Sequence, residues 1–187
     1  MSILLSLSPF AVFFVLMRLY SPIAGLVGAL AASLLLCTRM RWRGEAVKIL
    51  EVGSLVLFGL LTAYTWVAAP EWTVATVRLA VDAGLLAIVL VSLGIGRPFT
   101  LQYARERVPE AYWAMPLFLT TNRIITMVWA GAFAALVAAD AAAEWVPAVP
   151  LWVDVAGSVA AFALAVWFSR WYPAVVQRRA LAAAGMA

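Results

Sequence analysis

The sequence predicts an all-α fold: a polytopic transmembrane bundle of about six helices, the first two short, with both chain ends in the cytoplasm. Three observations carry that expectation. Of the 187 residues, 66% are apolar and only 12% are charged, against about a quarter charged in a soluble domain. A small globule cannot hide so much apolar surface, because its surface-to-volume ratio is too high. The apolar residues fall in runs suited to crossing a hydrocarbon core about 30 Å thick, where a helix satisfies its own backbone groups. Finally, the cations gather in alternate connections, as orientation signals do.

The elements follow in order, as one integral membrane domain over residues 1–187. The first two spans cover residues 3–17 and 22–37, short runs parted by Arg18-Leu19-Tyr20-Ser21-Pro22. A basic loop, Thr38 to Glu45, leads to a third span over 46–68. Ala69-Pro70-Glu71-Trp72-Thr73 then turns the chain into a fourth over 74–95. A polar connection over 96–116 carries prolines at 98, 109 and 116. The fifth span covers 117–139, an acidic loop runs from Asp140 to Pro150, and the sixth span covers 151–168.

Counting cations on alternate loops sets the orientation. With the N-terminus inside, the inner connections hold Arg39, Arg41, Arg43, Lys48, Arg97, Arg105 and Arg107, and the tail adds Arg170, Arg178 and Arg179. The outer connections hold Arg18 beside Glu71, Asp140 and Glu144. Tryptophans 42, 72, 113, 145, 152 and 171 fall near span ends, as an interfacial aromatic belt requires. Ala24 and Gly28, Gly25 and Ala29, Gly131 and Ala135, and Gly157 and Ala161 are spaced four apart. Such pairs let helices approach closely within one chain or, in a homo-oligomer, between chains.

Several chemistries find no support. Histidine is absent and Cys37 is the one cysteine, so imidazole catalysis, a disulfide framework and a thiolate metal cluster are excluded within one chain. There is no G-x-S-x-G, no P-loop and no catalytic constellation. No cofactor and no metal site is implied, and the net charge of +4 lies in orientation clusters rather than on a nucleic-acid platform.

Ionisable residues inside a span raise a functional question by default. Arg78 and Asp82 lie one helical turn apart in the fourth span, either as a self-neutralising pair or as a proton, ion or substrate site. Lys48 and Glu51 form a similar group at the inner end of the third span, and Asn122 and Arg123 open the fifth near the same face. The first pair reads as a solvated anchor, and the second could line an inner vestibule with Glu51, or serve as a snorkelling arginine and helix-end hydrogen bonds. Asp154, early in the sixth span, suits a helix N-terminus.

The connection holding Arg97, Pro98, Phe99, Tyr103, Arg105 and Arg107 is the least generic stretch. Leu101, Ala104 and Val108 recur at helical spacing, which predicts a short amphipathic helix on the inner membrane surface. Those six residues are the expected contacts for a lipid headgroup or a protein partner.

The order of motifs resembles the intracellular septation protein A family of bacterial inner-membrane proteins. Leu7-Ser8-Pro9-Phe10-Ala11-Val12-Phe13-Phe14 precedes a basic-aromatic break at Arg18-Leu19-Tyr20, a small-residue helix and the basic stretch Arg39-Met40-Arg41-Trp42-Arg43. Phe58-Gly59-Leu60-Leu61-Thr62, Arg97-Pro98-Phe99, and Asn122 with Trp129 and Phe133 resemble later family motifs. The extended Phe-Thr-Leu-Gln-Tyr-Ala-Arg-Glu after Pro98 departs from that pattern. The resemblance implies a non-enzymatic, multi-pass inner-membrane protein acting in envelope integrity, septation or cell division through membrane-protein partners. The alternative from the residues alone is a small oligomeric transporter or channel using Asp82 and Arg78.

Overall fold

A computed structural model describes residues 3–68, 70–145 and 151–183. The side chains of residues 143–145, 151–155 and 183 lie outside that description, and with them the expectations for Glu144, Trp145, Trp152 and Asp154. Among the described residues every regular element is a helix.

Helix α1 (Ile3–Ser6) and helix α2 (Ser8–Leu19) together form the first apolar run. Helix α3 spans Pro22–Trp42. Ser21 caps it by accepting from Ala24 N at 3.1 Å, and Pro22 fills the first helical position, where its missing N–H costs nothing. At 21 residues α3 is long enough to cross a bilayer. The second span is therefore not short: the helix runs on through the basic stretch expected as a loop. It stops at Gly44, whose φ of 68° permits a Schellman turn. In that turn Glu45 N donates to Met40 O, and Gly44 N to Arg41 O.

Helix α4 covers Ile49–Ala68 and helix α5 covers Val74–Gly94. Gly96, with a φ of 69°, closes α5 by the same device, its N–H on Leu93 O and that of Arg97 on Ser92 O. Helix α6 (Phe99–Arg105) and a 3₁₀ turn (Glu110–Tyr112) occupy the polar connection. Helix α7 runs over Pro116–Trp145 and helix α8 over Leu151–Ala183, with Pro173 inside it. Both outlast their expected ends. Asp140, expected in an outer loop, is helical and buried, because the alanines on either side of it, Ala138, Ala139, Ala141 and Ala142, are the strongest of helix formers.

Five helices, α3, α4, α5, α7 and α8, are long and apolar enough to span a membrane, and α2 is a shorter apolar helix of 12 residues. The chain is a multi-pass helical membrane protein. Its outer surface is apolar, with Leu35, Leu60, Trp66, Val67 and Val159 exposed, while Glu51, Asp82 and Asp140 are buried. That distribution suits lipid and would be unfavourable in water.

Consecutive helices pack as antiparallel neighbours from α2 to α5, while α5 packs across on α7, and α7 on α8. Close approach decides two of these contacts. A methyl group on Gly25 of α3 would lie 2.9 Å from both Met17 Cβ and Phe13 O of α2. On Gly84 of α5 it would meet the side chain of Leu57 on α4. Gly131 and Gly157 have open space instead, so neither glycine is needed for a close approach among the described residues. Phe58 of α4 receives Phe10 and Phe13 of α2 at centroid distances of 5.1 and 5.9 Å. Trp129 and Phe133 of α7 hold Phe162 of α8 at 5.8 and 5.6 Å, and Phe99 of α6 meets Trp129 at 6.2 Å.

Candidate functional site

Two polar clusters occupy opposite ends of the bundle, and a lateral groove lies beside them. The first cluster assembles where α1, α4 and α6 meet. Glu51, one turn into α4, is 1% exposed, and an ionised carboxylate there needs several donors. It has three. The Ser6 hydroxyl donates to Oε1, the Lys48 backbone N–H donates to Oε2 at 2.6 Å, and the Tyr103 hydroxyl approaches Oε1 at 3.3 Å. Glu51 thereby fastens the start of the chain and the surface helix to the first turn of α4.

Lys48 completes the assembly. Its ammonium lies 2.7 Å from Glu106 Oε1 and 4.3 Å from the centroid of the Tyr103 ring, combining an ion pair with a cation–π contact. Partial burial alone would raise the Glu106 pKa, but the Lys48 ammonium outweighs it and leaves this carboxyl below its usual value. Burial, reinforced by the neighbouring Glu51 carboxylate, raises the Tyr103 pKa and keeps its hydroxyl protonated. Ile49 N donates to Gln102 Oε1 at 2.8 Å, a second strap from α4 to α6. Cys37 of α3 brings its thiol to 3.8 Å from Glu51 O, a packing contact.

A third strap ties α6 to α7. The hydroxyls of Thr100 and Thr126 lie 2.7 Å apart, and each reaches Asn122 O at 2.9 Å. Asn122 is itself buried, its side-chain amide donating to Phe118 O at 2.9 Å. Its backbone carbonyl thereby seats α6 on α7. Arg123, the adjacent residue, points out and is exposed.

These contacts correct the expected inner-surface set. Pro98, Phe99 and Tyr103 are buried beneath α6 instead of lying on the surface, because aromatic rings on a membrane-surface helix gain more by packing into the bundle. Arg97, Arg105 and Arg107 are exposed as expected. The Arg105 guanidinium lies 5.2 Å from the centroid of Trp113.

The second cluster sits at the opposite end. Arg78 Nη2 lies 2.7 Å from Asp140 Oδ1, with side-chain exposures of 11% and 3%. Asp82, one turn along α5, is also buried. The self-paired reading of Arg78 with Asp82 missed this partner on α7. Arg78 also lies 5.9 Å from the ring of Phe14 on α2. The four residues considered for a transport path thus separate: Arg78 and Asp82 belong to this end, Glu51 and Asn122 to the other.

The groove, with a volume of about 1010 Å³, lies between α2 and α8 over a floor of α5 and α7. Phe10, Phe14, Phe162 and Val166 supply apolar wall, and Arg78 and Asp82 reach it from the floor. Among the described residues, no group of three His, Cys, Asp or Glu side chains could hold a metal ion.

The cations divide unequally between the ends. Of 13 Lys and Arg residues, Arg18 and Arg78 lie at the end where α2 stops and α5 starts. The others lie at or beyond the level of α6, as the Ser6–Glu51, Lys48–Glu106 and Thr100–Asn122 contacts establish for α1, α4 and α7. Trp129 Nε1 donates to Ser169 Oγ at 2.9 Å, which carries Arg170, Arg178 and Arg179 of α8 to that side.

Comparisons with protein-family models, with curated proteins and with solved structures find no match to this chain.

Proposed function

We propose that this chain is a non-enzymatic protein of the bacterial inner membrane, acting in envelope integrity, septation or cell division by docking a membrane-protein partner on its cytoplasmic face. One observation carries the reading. Helix α6 is held by three straps, to Glu51, Ile49 and Asn122, while Arg105 in its last turn and Arg97 and Arg107 on either flank are exposed. A surface helix fixed this firmly, with exposed cations in and beside it, is a preorganised docking platform, which spares a partner the ordering cost of binding. The cation distribution supports an orientation with this face and both chain ends in the cytoplasm. The motif resemblance to the intracellular septation protein A family supports the division and envelope role.

A test places a photo-crosslinking residue at Arg107 in living cells. The proposal expects an adduct with a protein of the septal or elongation machinery, and none from the same residue placed at Leu60 on the lipid-facing side of α4. Cross-linking to lipid alone from position 107 would reject the docking role.

The buried charges favour one second reading, a small transporter using Asp82 and Arg78, because both residues reach the groove. In that reading Asp82→Asn abolishes function while leaving protein abundance unchanged.

A further inference from the structure

Arg18 is placed against the charge pattern of the whole molecule. It ends α2 at the cation-poor side of the bundle, where the orientation rule disfavours it. The other cation at this end, Arg78, is nearly buried and paired with Asp140. Arg18 is exposed, and among the described residues it has no hydrogen-bond or ion-pair partner. Both arginines line the same groove.

The groove has the form of a lipid site. Its walls are almost wholly apolar, so at membrane depth it offers water few partners. From Ser158 to Arg170 the α8 wall is about 18 Å long at 1.5 Å per residue. That is close to the thickness of one leaflet, about half of a 30 Å hydrocarbon core. Helix α8 rests on α7 and leaves the side toward α2 uncovered. On the floor Asp140 pairs Arg78, and Asp82, a turn deeper, is buried. The exposed charge at the mouth is the positive one of Arg18, while Arg170 lines the groove on its α8 wall.

We infer that the groove between α2 and α8 holds one phospholipid of the outer leaflet, its acyl chains against the apolar walls and its anionic phosphate on the Arg18 guanidinium. A guanidinium forms two parallel hydrogen bonds to a phosphate, the strongest class of such contact. The lipid fills the space between α2 and α8, and so joins α8 to the α2–α3 hairpin. This site is distinct from the α6 platform and does not depend on its role.

The test uses the full chain in nanodiscs containing equal amounts of phosphatidylglycerol and phosphatidylcholine, followed by native mass spectrometry of the released protein. The expected result is one retained phosphatidylglycerol per chain, in preference to phosphatidylcholine. Arg18→Ala lowers that occupancy roughly tenfold, as loss of a charge-assisted hydrogen bond implies; Arg18→Lys retains most of it, and Arg43→Ala at the opposite end leaves it unchanged. Ala163→Trp, at a groove-lining position, removes either lipid. No retained lipid on the unaltered chain overturns the inference. So does equal retention of the two lipids, or phosphatidylglycerol binding that survives Arg18→Ala. A lipid-free dimer cross-linked through position 163 also overturns it, because a second copy would then occupy the groove.

Discussion

Arg78 of α5 and Asp140 of α7, far apart in the sequence, meet at 2.7 Å with both side chains nearly buried. Breaking a buried pair leaves an uncompensated charge, which costs far more than the intact pair contributes. Asp140→Ala is therefore expected to destabilise the bundle by about 3 kcal/mol, read as unfolding in detergent with increasing denaturant. The double replacement Arg78→Met with Asp140→Leu removes both charges and should recover about 2 kcal/mol of that loss. Equal loss in the single and double variants would show that the pair is not coupled.

The Glu51 cluster yields a second expectation. Its carboxylate accepts from three donors, and an amide in its place turns one acceptor into a donor. Glu51→Gln leaves a buried group mispaired, at a cost of about 2 kcal/mol. Hydrogen exchange should then accelerate in α1 and α6 and leave α7 below Asn122 unaltered. Tyr103→Phe and Ser6→Ala each remove one donor and should have smaller effects, about 1 kcal/mol.

Glu106 supplies a pH dependence. Its folded pKa is lowered, so the Lys48–Glu106 contact is present above the ordinary carboxyl value of 4.5 and is lost as pH falls through the lower folded value. Acidification from pH 7 should therefore leave α6 exchange unchanged until about pH 4.5 and increase it below that. In Glu106→Gln this step is absent. Because Glu106 is partly exposed, the effect is confined to α6 and does not unfold the bundle.

Glycine substitutions separate tight from loose helix contacts. Gly25→Ala places a methyl against a backbone carbonyl and a Cβ, neither of which can rotate away, and should destabilise the α2–α3 hairpin by about 2 kcal/mol. Gly131→Ala and Gly157→Ala meet open space and should be neutral or slightly stabilising, as helix propensity favours Ala. Thermal unfolding of the three variants side by side checks the ordering.

The bundle was legible because span length and loop charge are properties of contiguous sequence. Apolar runs located α4 and α5 to within a few residues. Helix ends were less legible. Arg39 and Arg41 read as loop cations, yet α3 carries them in its last turn, where they favour the negative helix terminus. Gly44 and Gly96 were the signals for the true stops. Asp140 was misassigned because an acid near prolines reads as a loop, whereas the alanines around it sustain a helix.

The sites were legible as residue types and not as partners. Glu51, Arg78 and Asp82 stood out as charges inside apolar runs. Ser6, Gln102, Thr100 and Thr126, which complete the cluster beneath α6, carried no sequence signal, because single polar residues in apolar runs are common. Their significance arises where α6 folds back on α4 and α7.

Complementation in cells lacking the native copy tests the docking platform most directly, comparing Arg105→Ala/Arg107→Ala with Asp82→Asn at matched membrane abundance. The platform reading predicts that Asp82→Asn restores normal division and envelope integrity, and that the double arginine variant does not. Restoration by the arginine variant with failure of Asp82→Asn would contradict it, and would place the working chemistry at the buried carboxylate beside the groove.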